Sequence, residues 1–206
     1  MRNQDYDKLK TALRFWLLGR EYHTALKALE FGMKYHTGKR KDGVTPEFQH
    51  QVSQMSYCRT LEKHLMFPEA TLATVALHDV VEDHDVSLEV IETQFGSQIA
   101  KAVELMTNQV AGNKKDKATY YAAMVDCPIA SIAKGCDRIH NVQTMPGVFS
   151  KEKMKDYVKE TNDYILPMLK SARRIHTKSE PAYQNIRHVL LTQIEWIELL
   201  VKDPES

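Results

Sequence analysis

Apolar residues recur along this chain at helical spacing, and nowhere over a useful length at the alternation of a strand. Leu9, Ala12, Leu13, Trp16 and Leu17 form a first stripe, and Ala25, Leu26, Leu29 and Met33 a second. The stretch from Gly38 to Pro46 breaks the pattern and predicts a loop. Phe48, Val52 and Met55 resume it. Pro68 suits the first turn of a helix running to about Asp83. Ser87 can cap a short helix that Gly96 ends, and Ile99, Ala102, Val103 and Met106 continue the pattern. A polar loop from Thr107 to Asn113 precedes a Tyr/Ala-rich helix, and Pro128 opens the helix carrying Cys136 and Asp137. Two longer helices follow, roughly 150–174 and 181–202, with Pro167 expected to kink the first. The fold predicted is all-α, one domain over residues 1–206. The last helix carries Ile186, Val189, Leu190, Ile194, Ile197 and Leu200. We expect them to pack on the core, a second subunit being the alternative.

Composition narrows the classes. A net charge of +1 over 206 residues gives no global field toward nucleic acid or a membrane surface, so neither is an expected partner. Any anion site must come from a local cluster. Cys58, Cys127 and Cys136 are odd in number and lack metal-knuckle or redox spacing, which predicts reduced thiols in a cytoplasmic protein. The N-terminus, Met1 to Asp7, is too polar for a signal peptide, and no apolar run approaches the ~18 residues of a membrane helix.

The chemistry concentrates in Leu72 to Asp83, L-A-T-V-A-L-H-D-V-V-E-D. On one continuous helix, Ala76, Leu77, Val80 and Val81 cover one side. His78, Asp79, Glu82 and Asp83 then share the other. Three carboxylates and an imidazole on one arc repel without a cation, and a divalent metal resolves the conflict. Asp137, in K-G-C-D-R-I-H-N, lines up with Lys134 and Asn141 at helical spacing, opposite the stripe Ile132, Cys136 and Ile139. His50 sits just after the basic loop. A lone histidine is commonly a core or surface residue; with the others it completes a His, His-Asp, Asp set. Such a set suits Mn²⁺, Fe²⁺ or Zn²⁺ with positions left for water. Glu82 and Asp83 are placed to orient or deprotonate that water. Lys39, Arg40 and Lys41 put three positive charges near His50. An isolated basic run is usually a solvated turn, but beside a metal it reads as a phosphate contact, with Arg40 also able to stack on a base. Lys114, Lys115 and Lys117 form a weaker cluster.

The order of these motifs resembles the hydrolase domain of RelA/SpoT-type stringent-response proteins, and especially the stand-alone small alarmone hydrolases. The segments that carry it are 36–50 (H-T-G-K-R-K-D-G-V-T-P-E-F-Q-H), 76–83 (A-L-H-D-V-V-E-D), 95–107 (F-G-S-Q-I-A-K-A-V-E-L-M-T) and 134–144 (K-G-C-D-R-I-H-N-V-Q-T). The likeness runs from about residue 25 to about 167. It implies an HD-domain helical bundle with one metal site. His50, His78, Asp79 and Asp137 would hold one Mn²⁺, with Zn²⁺ or Fe²⁺ as alternatives, and Glu82 and Asp83 would handle the attacking water. Arg40 and Lys41 would meet base and phosphates, Asn141 the ribose, and Lys114, Lys153 and Tyr157 further parts of the substrate. The implied reaction removes the 3′-pyrophosphate of ppGpp or pppGpp. Adenine alarmones such as ppApp, the 2′-phosphate of NADPH, another HD nucleotide phosphohydrolase activity, or a non-catalytic alarmone sensor are the alternatives. Gln51 stands where the family usually has proline, Gly135-Cys136 where it has Leu-Ala, and His84 where threonine is common. The loop at Val44-Thr45-Pro46 is one residue longer than usual. No room follows for a synthetase domain, so hydrolysis without synthesis is expected. A homo-oligomer stays open.

Overall fold

The computed structural model describes residues 3–110 and 113–202. Part of the predicted polar loop, Ala111 and Gly112, lies outside the described residues, as do Met1 and Arg2. Helices dominate: α1 (Asn3–Gly19), α2 (His23–Tyr35), α3 (Gln49–Cys58), α4 (Pro68–Leu77), α5 (Val80–Asp83), α6 (Leu88–Phe95) and α7 (Ser97–Met106). The second half adds α8 (Lys117–Ala123), α9 (Pro128–Thr144), α10 (Lys151–Glu160), α11 (Leu166–Ile175) and α12 (Glu180–Val201). Among the described residues the one β ladder is a two-residue hairpin, β1 (Gln109–Val110) with β2 (Asn113–Lys114), inside the segment read as a polar loop.

Local signals set the boundaries. The Ser87 side chain accepts from Val90 N at the start of α6, and Gly96 ends that helix at a φ of 86°. Asp116 and Ser150 cap α8 and α10 in the same way. Pro128 and Pro181 fall in first turns, where a missing N–H costs nothing. The helix expected over roughly 150–174 is instead broken. A π turn, Thr161–Ile165, separates α10 from α11, and Pro167 sits in the first turn of α11. Proline lacks the N–H and its ring crowds the carbonyl four residues back, so the chain widens one turn before it.

The core is built around α4 and α9. Both are flanked by α3, α4 also packs on α2 and α7, and α12 lies along α9. α4 is buried on every side, which is why its sequence is apolar all round rather than striped. Leu13, Leu29, Met55, Leu72, Leu77, Ile132 and Tyr183 are fully buried there. On α12, Ile186, Leu190, Ile194 and Ile197 are buried as expected and Val189 partly so, but Leu200 is exposed beside Leu199 and Trp196. Gly135 marks the closest approach of α12 to α9: a Cβ there would lie 2.7 Å from Ile186 Cγ2.

Gly32 plays the same part between α2 and α4. A Cβ at this position would meet the Ala76 carbonyl oxygen and Phe48 Cε2, each at 2.7 Å. The carbonyl is backbone and cannot rotate away. Gly32→Ala is therefore expected to lower the denaturation free energy, with an overpacking cost at the upper end of roughly 1–3 kcal/mol. That outweighs the ~1 kcal/mol helix-propensity gain. A denaturant midpoint at or above wild type would refute the close-approach reading.

Candidate active site

The pair His78-Asp79 does not lie on one continuous helix. α4 stops at Leu77, His78 and Asp79 form a turn, and α5 restarts for a single turn. Both residues keep right-handed helical backbone angles, φ −60° and ψ −32° at His78 and φ −95° and ψ −10° at Asp79, so the turn interrupts the helix without reversing the chain. Asp79 Oδ2 stands 3.0 Å from His78 Nε2. His78 Nδ1 donates to the Val75 carbonyl at 2.9 Å. That bond places the proton on Nδ1 and leaves Nε2 as a bare lone pair. Nε2 is buried and has no hydrogen-bond partner.

Two other helices complete the centre. α3 brings His50 and α9 brings Asp137. His50 Nε2 lies 3.1 Å from Asp137 Oδ1 and 3.9 Å from Asp79 Oδ2, and His78 Nε2 lies 3.7 Å from Asp137 Oδ1. His50, His78 and Asp137 are buried, while the Asp79 side chain is a third exposed. These separations match ligands about 2.0–2.2 Å from a shared ion. The orphaned lone pair of His78 faces that same point, so the donor set fits a divalent metal.

The electrostatics ask for positive charge here. Burial works against a charge on His78, yet Asp79 and Asp137 outweigh it and raise its pKa to about 10, so without a metal ion a proton takes the place on Nε2 that the ion would fill. Burial also pushes Asp137 up, but Lys134 and the two histidines hold it well below the usual carboxylate range. Asp79, against its own burial, is drawn down to about 2 by His78. Lys134 Nζ binds Asp137 Oδ2 at 2.9 Å and Asn141 Nδ2 donates to Oδ1 at 2.7 Å, so Asp137 is clamped on both oxygens. Glu82 and Asp83 lie one turn further. Glu82 Oε2 accepts from the Asn108 backbone N–H at 2.8 Å. Burial and the charges of Asp79 and Glu82 raise Asp83 to about 6.

His140 was visible in the D-R-I-H-N motif but its role was not. Its Nδ1 lies 2.7 Å from His50 Nδ1, on the far side of the His50 ring from the centre. Burial and His50 lower its pKa to about 3, so it is neutral and can accept from His50 Nδ1–H. His140→Ala is expected to weaken divalent-metal affinity by about 10–100-fold, the usual cost of losing a histidine's outer partner. Metal titration of stripped protein tests this; an unchanged affinity would remove His140 from the metal centre. Two glutamines were also missed. Gln54 Nε2 lies 2.5 Å from His50 Nε2 and 3.3 Å from Asp137 Oδ1, and Gln51 Nε2 donates to Asp79 Oδ2 at 3.3 Å. The i,i+4 spacing from His50 was the signal for Gln54.

The centre opens into a cavity of about 810 Å³. Arg40, Lys41, Lys114, Asn141 and Tyr157 line it, with Glu82 and Asp83. Lys41 and Lys114 are exposed at the rim, above the buried imidazoles. Lys153 sits at the edge of this cavity: its Nζ lies 4.2 Å over the ring of Phe149, which lines it, near Lys41. Asn141 gives one Nδ2–H to Asp137, and its amide has a second N–H and a carbonyl oxygen besides. Size and a polar, positively rimmed mouth suit a nucleotide-sized anion.

The profile of the HD-domain family matches residues 28–168, which span α2 to α11 and all of these residues. The chain belongs to the HD-domain family. Within it, the chain is 31% identical over 150 residues to a probable guanosine-3′,5′-bis(diphosphate) 3′-pyrophosphohydrolase of Synechocystis sp., covering 69% of this chain and 19% of that protein. It is 29% identical over 147 residues to a guanosine-3′,5′-bis(diphosphate) 3′-pyrophosphohydrolase of Aquifex aeolicus, covering 69% of this chain and 20% of that one. This HD chain thus spans about a fifth of the length of the curated relatives it matches. A solved structure described as a metazoan ortholog of SpoT that hydrolyzes ppGpp shares the fold, with a TM-score of 0.59 at 19% identity, over 86% of this chain and 94% of that one. No helix among the described residues is long and apolar enough to cross a membrane.

Proposed function

We propose that this HD domain is a metal-dependent phosphohydrolase that removes the 3′-pyrophosphate of ppGpp or a related alarmone such as ppApp. The products are pyrophosphate and a nucleoside 5′-di- or triphosphate. One observation carries the reading. Two histidines and two carboxylates from α3, α9 and the α4–α5 turn converge on an orphaned imidazole lone pair below a lysine-rimmed cavity. The names of the cyanobacterial and Aquifex relatives support the substrate class.

His50, His78, Asp79 and Asp137 would hold one divalent ion, Mn²⁺ in our reading. When bound, such an ion supplies Lewis-acid polarisation and lowers the pKa of water. The side chains supply the rest. Glu82 takes the proton of the attacking water, with Asp83 beside it orienting that water. Arg40, Lys41 and Lys114 neutralise the phosphates that enter from the rim. Tyr157 offers a ring face to the base or sugar. Lys134 and Asn141 keep Asp137 fixed between them, which preorganises the ligand set.

Incubation of the protein with ppGpp, ppApp and NADPH, each with Mn²⁺ and with EDTA, tests the proposal. Products are resolved by anion exchange. Pyrophosphate with GDP or ADP, in the metal arm alone, is the expected result and also gives the base preference. Phosphate released from NADPH alone would keep the chemistry and overturn the substrate. Tight binding of ppGpp without turnover in excess Mn²⁺ would overturn catalysis in favour of a sensor.

A further inference from the structure

A second convergence of ligand-type atoms lies beside the first and shares no residue with it. His36 follows α2, Glu47 lies on the loop before α3, and His84 follows α5. His36 Nδ1 is 3.1 Å from His84 Nε2 and 3.6 Å from Glu47 Oε1. All three atoms lie within 4.8 Å of one another. His36 is only 4% exposed, and His84 and Glu47 are partly buried. The rings are held by aromatic neighbours: Phe48 stacks on His36, and Tyr35 packs against His84. Glu47 Oε2 accepts from the Gly38 N–H at 3.2 Å, which aims Oε1 at the histidines.

Hydrogen bonding accounts for the contact between the two histidines but not for the approach of the carboxylate. A ring nitrogen either donates one proton or accepts one. His36 Nδ1 spends that one bond on His84 at 3.1 Å, and it leaves the Glu47 carboxylate at 3.6 Å, beyond hydrogen-bond length. A cation explains both contacts. Ligands about 2.0–2.1 Å from a tetrahedral zinc-type ion stand about 3.3 Å apart, and the two measured separations bracket that value.

We propose that His36, Glu47 and His84 form a second divalent-cation site of the two-histidine, one-carboxylate type. Three protein ligands leave a fourth position open, as in catalytic rather than structural zinc sites. His36 and Glu47 line the same cavity as the first centre. A water, or a phosphate oxygen of a bound nucleotide, can complete the shell there; the phosphate part rests on the substrate reading above. Cation binding itself does not depend on which nucleotide is cleaved, so metal stoichiometry and turnover fail separately.

The test is a titration of the metal-stripped full chain with Co²⁺, read by visible absorption and by bound metal per chain. Wild type is expected to take up two equivalents. Glu47→Gln and His84→Gln are each expected to take up one, with circular dichroism unchanged. Glu47→Gln keeps the acceptor for the Gly38 N–H, so it separates ligand loss from misfolding. Asp79→Ala is expected to lose the first equivalent and keep the second. A single equivalent in wild type, or two in Glu47→Gln and His84→Gln, would overturn the second site.

Discussion

Asp79→Ala is expected to lose one equivalent of divalent metal per chain and at least about three orders of magnitude of turnover, while the fold survives. The geometry sets the size of the effect. Asp79, like Asp137, neighbours both imidazole nitrogens, at 3.0 Å from His78 Nε2 and 3.9 Å from His50 Nε2. Its removal strips a ligand and leaves Asp137 as the one carboxylate of the set. It also takes away the charge that does most to raise His78, so the site loses affinity for any cation. The side chain is a third exposed and sits in a turn rather than a packed helix, so truncation opens no sealed cavity. Metal analysis after dialysis, turnover of ppGpp and circular dichroism check the three parts. Retained metal with normal turnover would remove Asp79 from the ligand set.

Glu82→Gln is expected to behave differently: full metal content, with turnover reduced by about 10²–10⁴-fold. Glu82 Oε2 accepts from Asn108 N, and a glutamine carbonyl can accept the same bond. The substitution therefore changes proton affinity and leaves the local backbone anchored. Glu82 is exposed on α5, and its carboxylate is bound to the Asn108 backbone rather than built into the ligand set. Loss of activity with metal intact isolates the proton-transfer role from metal binding. Full activity in this variant would pass that role to Asp83, whose carboxyl is already raised to about 6.

The helical character, the caps at Ser87 and Gly96, and the proline starts were legible in the sequence because they depend on residues within one turn of each other. Interruptions were less legible. The break at His78-Asp79 falls inside unbroken apolar periodicity with no local signal to mark it, whereas Pro167 marked a kink in its helix but not the π turn that forms it. Lys134 and Asn141 did line up with Asp137, and both bind it, because helical spacing alone delivers that arrangement. Lys153 was assigned by resemblance to a place at the substrate, and its Nζ lies over Phe149, a residue of the cavity wall.

The sequence by itself determined an all-helical chain, the identities of the atoms able to bind a cation, and the presence of basic groups near them. Those follow from residue type and from spacing along one helix. Only the tertiary structure decided that His50 and Asp137, 87 positions apart, bring their side chains to 3.1 Å, and that His140 stands behind His50. It alone brought His36, Glu47 and His84 together across three segments. The physical reason is that convergence depends on how closely helices approach, which here turns on Gly32 and Gly135. Those are properties of packing in space, and hydrophobic periodicity along the chain does not encode their outcome.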